Sequence, residues 1–288
     1  MVKAWRSFVR FLGAIWLRVG DGHFGLIAAG VAFYAMFAVF PGLAAVVAIW
    51  SLMADRQVIT GYLEVAERFL PPEAGALIHD QVMGLLNAPA TTLGWATFVS
   101  LMLALYSARN GVAALVQGLD VVHRATPRSW VKGWLVDLGL TLLLIGALII
   151  ALATVVIVPV LFDYVSLGKY ESSFLRILPW IAMFVLVLSC LSILYHYGPN
   201  VAPDARAGWI SYGVIFAALA WAGVSLGFST YLSNFNSYNR IYGSIGAVII
   251  LMTWLYLSVW AILVGGAINA ELDDRSRLFR SMGRARRN

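Results

Sequence analysis

Arg109 and Asn110 stand side by side in an otherwise apolar stretch, LGWATFVSLMLALYSARNGVAALVQGLDVVH, residues 93–123. An arginine deep in an apolar helix is costly unless it faces a protein interior or a watery cavity, where it marks a functional site. Its five donors suit an anionic head group, phosphate above all. The plainer alternative is an arginine that snorkels to the membrane surface. Gln117 and Asp120 follow Asn110 by seven and ten residues, close to one helix line. They share a polar face with it or form the solvated side of a helix extension. Asn269 and Glu271 close the last apolar run, where they pair with Arg109 or the basic loops, or anchor a helix end. These six residues form the candidate substrate-binding set.

A second polar cluster, SNFNSYNRIYGS at 233–244, carries Asn234, Asn236, Ser237, Tyr238, Asn239, Tyr242 and Gly243. Such side chains can ligand a polar head group or sugar, or satisfy their own backbone in a tight loop. Covalent chemistry finds no comparable constellation. His23, His79, His123 and His196 have no partner at metal-ligand spacing, and no HExxH, P-loop or GxSxG pattern occurs. The one cysteine, Cys190, lies in an apolar run, which excludes an intrachain disulfide. No catalytic residue, metal or cofactor is expected, and the chain is not expected to be an enzyme.

The elements that position these residues are membrane spans. Of 288 residues, 61% are hydrophobic and 12% charged, and the mean hydropathy is +0.83. Soluble domains carry about 25% charged residues. Apolar runs at about 26–53, 93–106 (continuing as helix to 123), 138–162, 177–197, 209–232 and 245–268 predict six transmembrane helices. Pro41 predicts a kink in the first span. Residues 1–25 read as a basic amphipathic helix in the membrane interface, with Trp5, Phe8, Leu12, Ile15, Trp16 and Val19 on its apolar side. Two short amphipathic helices outside the cytoplasm are expected at 58–70 and 74–86, split by Pro71-Pro72, and residues 273–288 form a basic tail. The fold class is therefore all-α, a single polytopic domain over 26–272.

Fifteen of the twenty Lys and Arg residues fall in the termini and loops of one side. That bias places both termini in the cytoplasm. Anionic lipid is the expected partner of the tail arginines. Nucleic acid is not expected, because no aromatic residues interleave with them. Gly213-xxx-Ala217 and Gly223-xxx-Gly227 allow close helix packing, within the chain or in a homo-oligomer.

AAGVAFYAMFAVFPGL (28–43), ARNGVAALVQGLD (108–120), LYHYGPNVAPDARAGW (194–209), YLSNFNSYNRIYGSIGAVIILMTWLYLS (231–258) and GGAINAEL (265–272) resemble the bacterial YihY/BrkB family of inner-membrane proteins. The resemblance covers nearly the whole chain. It implies six helices with cytoplasmic termini, and it draws attention to Tyr34, Pro41, Asn110, Asn200, Asn234, Tyr238, Asn239, Tyr242, Gly243, Asn269 and Glu271. Arg240 adds a charge that the family pattern lacks. By that resemblance, one member type is associated with serum resistance, another is proposed to move lipid or lipopolysaccharide precursor, and the family long carried a "ribonuclease BN" label. The leading expectation is a transporter or flippase for an amphipathic anionic lipid or envelope precursor. The alternative is a non-transporting scaffold for envelope biogenesis. A nuclease finds no support in clustered carboxylates.

Overall fold

A computed structural model of the chain describes residues 2–53, 60, 63, 79–80, 82–84, 90–164, 171–203, 206–234 and 239–285. Seven long helices order them: α1 Val2–Asp21, α2 Phe24–Met53, α3 Ala90–Val122, α4 Trp130–Tyr164, α5 Glu171–Tyr197, α6 Tyr212–Asn234 and α7 Asn239–Ala285. No strand occurs among the described residues. The short helices expected at 58–70 and 74–86 lie almost wholly outside the described residues, as do Asn236, Ser237 and Tyr238.

Phe24–Gly42, Thr97–Val122, Trp130–Ala151, Tyr212–Tyr231 and Val248–Arg277 are long and apolar enough to cross a membrane. The described part of α5, Ile181–Tyr197, is apolar but shorter. Five helices thus have the length and composition of a span, and the described apolar part of α5 is shorter than one. In lipid every backbone N–H and C=O must be bonded within its own segment, which is why such runs are helical. Several helices outlast their apolar runs. α4 begins at Trp130, before the apolar run at 138, and α7 continues through its charged residues to Ala285. Glu271–Arg275 and Asp273–Arg277 pair one turn apart at 2.9 and 3.0 Å and support that continuation. α2 is continuous across Pro41.

The helices divide between two compact units. The first comprises Met1–Ile27, Val112–Gly223 and Ser258–Asn288. Its core holds Phe24, Leu119, Thr141, Tyr195, Val214 and Leu263, all almost fully buried. Here α6 and α7 meet almost backbone to backbone. A Cβ on Gly213 would overlap the Gly265 carbonyl, and one on Gly265 would lie 2.5 Å from the Tyr195 hydroxyl and 2.8 Å from Ala217 Cβ. Small residues allow this approach where lipid offers no hydrophobic drive to association. The Tyr195 hydroxyl donates to the Ile262 carbonyl at 2.6 Å. α4 and α5 also pack on one another, and Leu148, Ile149 and Ile150 of α4 remain exposed, as lipid-facing positions should.

The second unit comprises Ala28–Gly111 and Val224–Leu257. Within it α2 and α3 approach closely at Gly111, where a Cβ would sit 3.3 Å from Tyr34 Cβ and 3.7 Å from the Val31 carbonyl. Trp254 of α7 donates its indole N–H to Ser225 of α6 at 3.2 Å. An apolar cavity of about 490 Å³ lies between these two helices, lined by Phe228, Tyr231, Ile249 and Thr253 among others.

Candidate functional site

The polar residues of the first unit fall into a fastening and a cavity. The fastening begins with Arg18, near the end of α1. Its Nη1 donates to the Val122 carbonyl at 2.8 Å, where α3 ends, and its Nη2 lies 3.3 Å from Glu271 of α7 and pairs with Asp274. Glu271 also accepts from Arg275 Nε at 2.9 Å, and the Arg275 guanidinium stacks 5.0 Å over the Phe11 ring. Arg18 and Glu271 are only 11% and 12% exposed. One arginine therefore ties the amphipathic helix to two other helices through groups largely withdrawn from water. His123 sits beside this cluster, its Nδ1 2.9 Å from the Leu119 carbonyl. Burial pushes its pKa below the ordinary 6.5, the nearby Arg18 charge adds to the shift, and Asp273 and Asp274 oppose it.

Asn269 is the second fastener. Its Oδ1 accepts from the Gly213 N–H at 2.8 Å. Gly213 lies in the first turn of α6, where N–H groups have no partner within the helix. Asn269 thus caps α6 from α7. Its Nδ2 is buried and makes no hydrogen bond among the described residues.

The cavity forms where α3 ends and α4 begins. α3 stops in a Schellman turn: Arg124 takes φ 49°, its N–H bonds to the Val121 carbonyl at 3.1 Å, and the Ala125 N–H bonds to the Asp120 carbonyl at 2.9 Å. The chain then runs without helix through residues 125–129. Asp120 Oδ1 accepts from the Asn200 N–H at 2.7 Å, and the Asn200 side-chain amide donates to the Thr126 carbonyl at 2.7 Å. The α5–α6 connector is thereby sewn to the α3–α4 turn. A cavity of about 510 Å³ results, lined by Gln117, Asp120, Arg124, Arg128 and Asp137 among others.

Of the six candidate residues, Gln117 and Asp120 share this cavity, and Asn269 and Glu271 belong to the fastening. Arg109 and Asn110 lie in the second unit, half-buried, with Arg109 Nη1 3.3 Å from Asn110 Oδ1. In the outer-side cluster, Asn234 ends α6, and Asn239, Tyr242 and Gly243 fall in the first turns of α7. Sequence reasoning missed Arg128 and gave Asp137 no role. One signal was present: Asp137 is one of the few carboxylates outside the loops, and it is buried. Among the described residues no group of three His, Cys, Asp or Glu side chains could hold a metal ion.

A family profile described as "Virulence factor BrkB" matches residues 15–288. A Bacillus subtilis protein named as ribonuclease-like, YfkH, is 32% identical over 221 residues, covering 75% of this chain and 78% of its own. A UPF0761 membrane protein of Tolumonas auensis is 26% identical over 272 residues, 92% of this chain and 86% of the relative. Another, from Aeromonas salmonicida, is 26% identical over 286 residues, with 93% and 92% covered. No solved structure matches. With its apolar spans and this match over nearly its whole length, the chain is a multi-pass membrane protein of the BrkB family.

Proposed function

We propose that the protein moves an amphipathic anionic molecule, a phospholipid or envelope precursor, across a bacterial inner membrane, with both termini cytoplasmic. The observation that carries this reading is the charged cavity at the α3–α4 turn, about 510 Å³ in volume, in a bundle whose exterior is apolar. Pockets of this size accept a ligand head group. Arg124 and Arg128 hold the anionic head, and Gln117 offers an amide. Asp120 and Asp137 balance the two guanidiniums, so the anion binds well enough to enter and weakly enough to leave. Arg109 and Asn110 offer the same recognition chemistry inside the span. The close contact of Gly213 with Gly265 and the buried Tyr195 favour the second reading, a non-transporting scaffold.

Liposome reconstitution tests the proposal by following labelled phosphatidylglycerol between leaflets, with wild type, Arg124→Gln and Arg109→Ala each shown folded in detergent. Rapid wild-type exchange that Arg124→Gln slows at least about tenfold is the expected result. Unchanged exchange in Arg109→Ala would clear that residue of a role. Absence of exchange for several anionic lipids would sink transport in favour of the scaffold. The ribonuclease reading raised by the name of YfkH requires metal-dependent RNA cleavage by rigorously purified protein, abolished by a carboxylate substitution.

A further inference from the structure

Behind the Arg128 wall lies a second cavity of about 570 Å³, lined by Pro127, Arg128, Ser129, Lys132, Tyr197, Asn200 and Arg206 among others. The two cavities share Pro127 and Arg128 but differ in charge. The first contains Asp120 and Asp137, whereas among the described residues the second is lined by three cations and no carboxylate. Among the described residues none of these three cations forms an ion pair. Arg128 gives Nη2 to the Tyr197 carbonyl at 2.9 Å and has a buried Nη1 with no hydrogen bond, while Arg206 rests against the Tyr197 ring at 5.9 Å. Asp120 and Asp137 reach only Arg128, from the first cavity, and Lys132 and Arg206 are exposed, so the second cavity presents a positive potential that attracts an anion.

The depth of the cavity is marked by its surroundings in the same unit. Trp130 and Trp134 open α4, Tyr197 closes α5, and Trp209 and Tyr212 flank the start of α6, and all five are exposed. Exposed tryptophans and tyrosines at the ends of apolar spans lie at head-group level. His196 stacks on Trp209 at 5.1 Å and holds the Ala207 carbonyl at 2.9 Å, which fixes the connector carrying Arg206.

We infer that this second cavity is a binding site for a phosphate group, with Arg128, Lys132 and Arg206 as its cationic ligands and the head group of an anionic phospholipid as its source. Arginine matches phosphate oxygens in paired hydrogen bonds, and lysine adds a point charge. The site shares Arg128 with the transport reading but does not depend on transport. Lys132 and Arg206 line this cavity and not the first, so their substitution leaves the side chains of the first cavity in place.

The test is native mass spectrometry of the full chain in detergent with three probes: dioleoyl phosphatidylglycerol, dioleoyl phosphatidylcholine and glycerol 3-phosphate. Wild type should retain phosphatidylglycerol in preference to phosphatidylcholine, and K132Q/R206Q should weaken that retention about tenfold at unchanged thermal stability. The control R6Q/R10Q removes two charges from α1 and should retain the lipid as wild type does. Glycerol 3-phosphate bound as tightly as the lipid, and lost in K132Q/R206Q, would uphold the phosphate site and assign it a soluble ligand. Equal lipid retention by wild type and K132Q/R206Q overturns the inference, as does equal loss in the α1 control, which would mean diffuse attraction. A protein that binds lipid here and exchanges none across liposomes fails as a transporter but keeps the site.

Discussion

Two regions of the first unit use the same residue types for opposite ends. Around Arg18, each charge has a partner: two carboxylates and a backbone carbonyl surround the guanidinium, and Glu271 holds a second arginine. Around Arg128, Lys132 and Arg206, cations line a cavity whose described wall holds no carboxylate. Partly buried charges persist in a protein when something compensates them. In the first region the fold supplies the compensation; in the second, where Lys132 and Arg206 are exposed, a ligand can share that role with water. Arginine count alone does not separate fastening from binding. Among the described residues, a direct ion pair does: Arg18 makes two, and Arg128, Lys132 and Arg206 make none.

The fastening should break first and hardest at its tightest packing. Gly265→Leu drives a branched side chain into the Tyr195 hydroxyl and the Gly213 carbonyl. The protein should lose its folded state in detergent, read as collapse of the monodisperse gel-filtration peak, because overpacking costs about 1–3 kcal/mol even for small additions. Arg18→Gln comes next. It leaves the largely buried Glu271 with Arg275 alone, and unfolding should become easier by about 2 kcal/mol. Adding Glu271→Gln should restore part of that loss in a double-mutant cycle; strictly additive losses would deny the coupling. Asn269→Ala removes the cap from α6 and should cost about 1 kcal/mol, seen as a modest drop in melting temperature.

A smaller effect sharpens the comparison through pH. The folded pKa of His123 is depressed below 6.5, so the folded protein holds this ring neutral while the unfolded chain protonates it. Its contribution is fully present above about pH 6.5 and is lost as pH falls from there toward the folded pKa. Lowering the pH from about 7.5 to about 5.5 should therefore destabilise wild type more than His123→Gln. Parallel melting curves for the two proteins across that range would refute the assignment.

The spans were legible because lipid leaves a helix few alternatives, so apolar runs alone located most of them. Their ends were less so. α4 begins before its apolar run, and α7 outruns its own because ion pairs one turn apart and the Arg18 contacts hold the charged extension in helix. Arg109 drew attention because it interrupts an apolar run. Lys132 and Arg206 showed in the sequence only as loop charges that orient the protein. Their convergence depends on Asn200 bonding Asp120 and Thr126 across about eighty residues of chain, a pairing no local pattern encodes. Asn269 read as a helix-end polar residue, but the helix it caps, α6, precedes it in the chain.

The most direct test of the division between fastening and binding is the melting temperature of two variants, Arg18→Gln and K132Q/R206Q, with and without phosphatidylglycerol. A ligand that binds the folded state raises its stability by mass action. Arg18→Gln should melt lower than wild type yet keep the full lipid-induced rise, and K132Q/R206Q should melt like wild type without lipid and lose the rise. The reverse pattern, or a lipid-induced rise that is equal in both variants, would contradict the account.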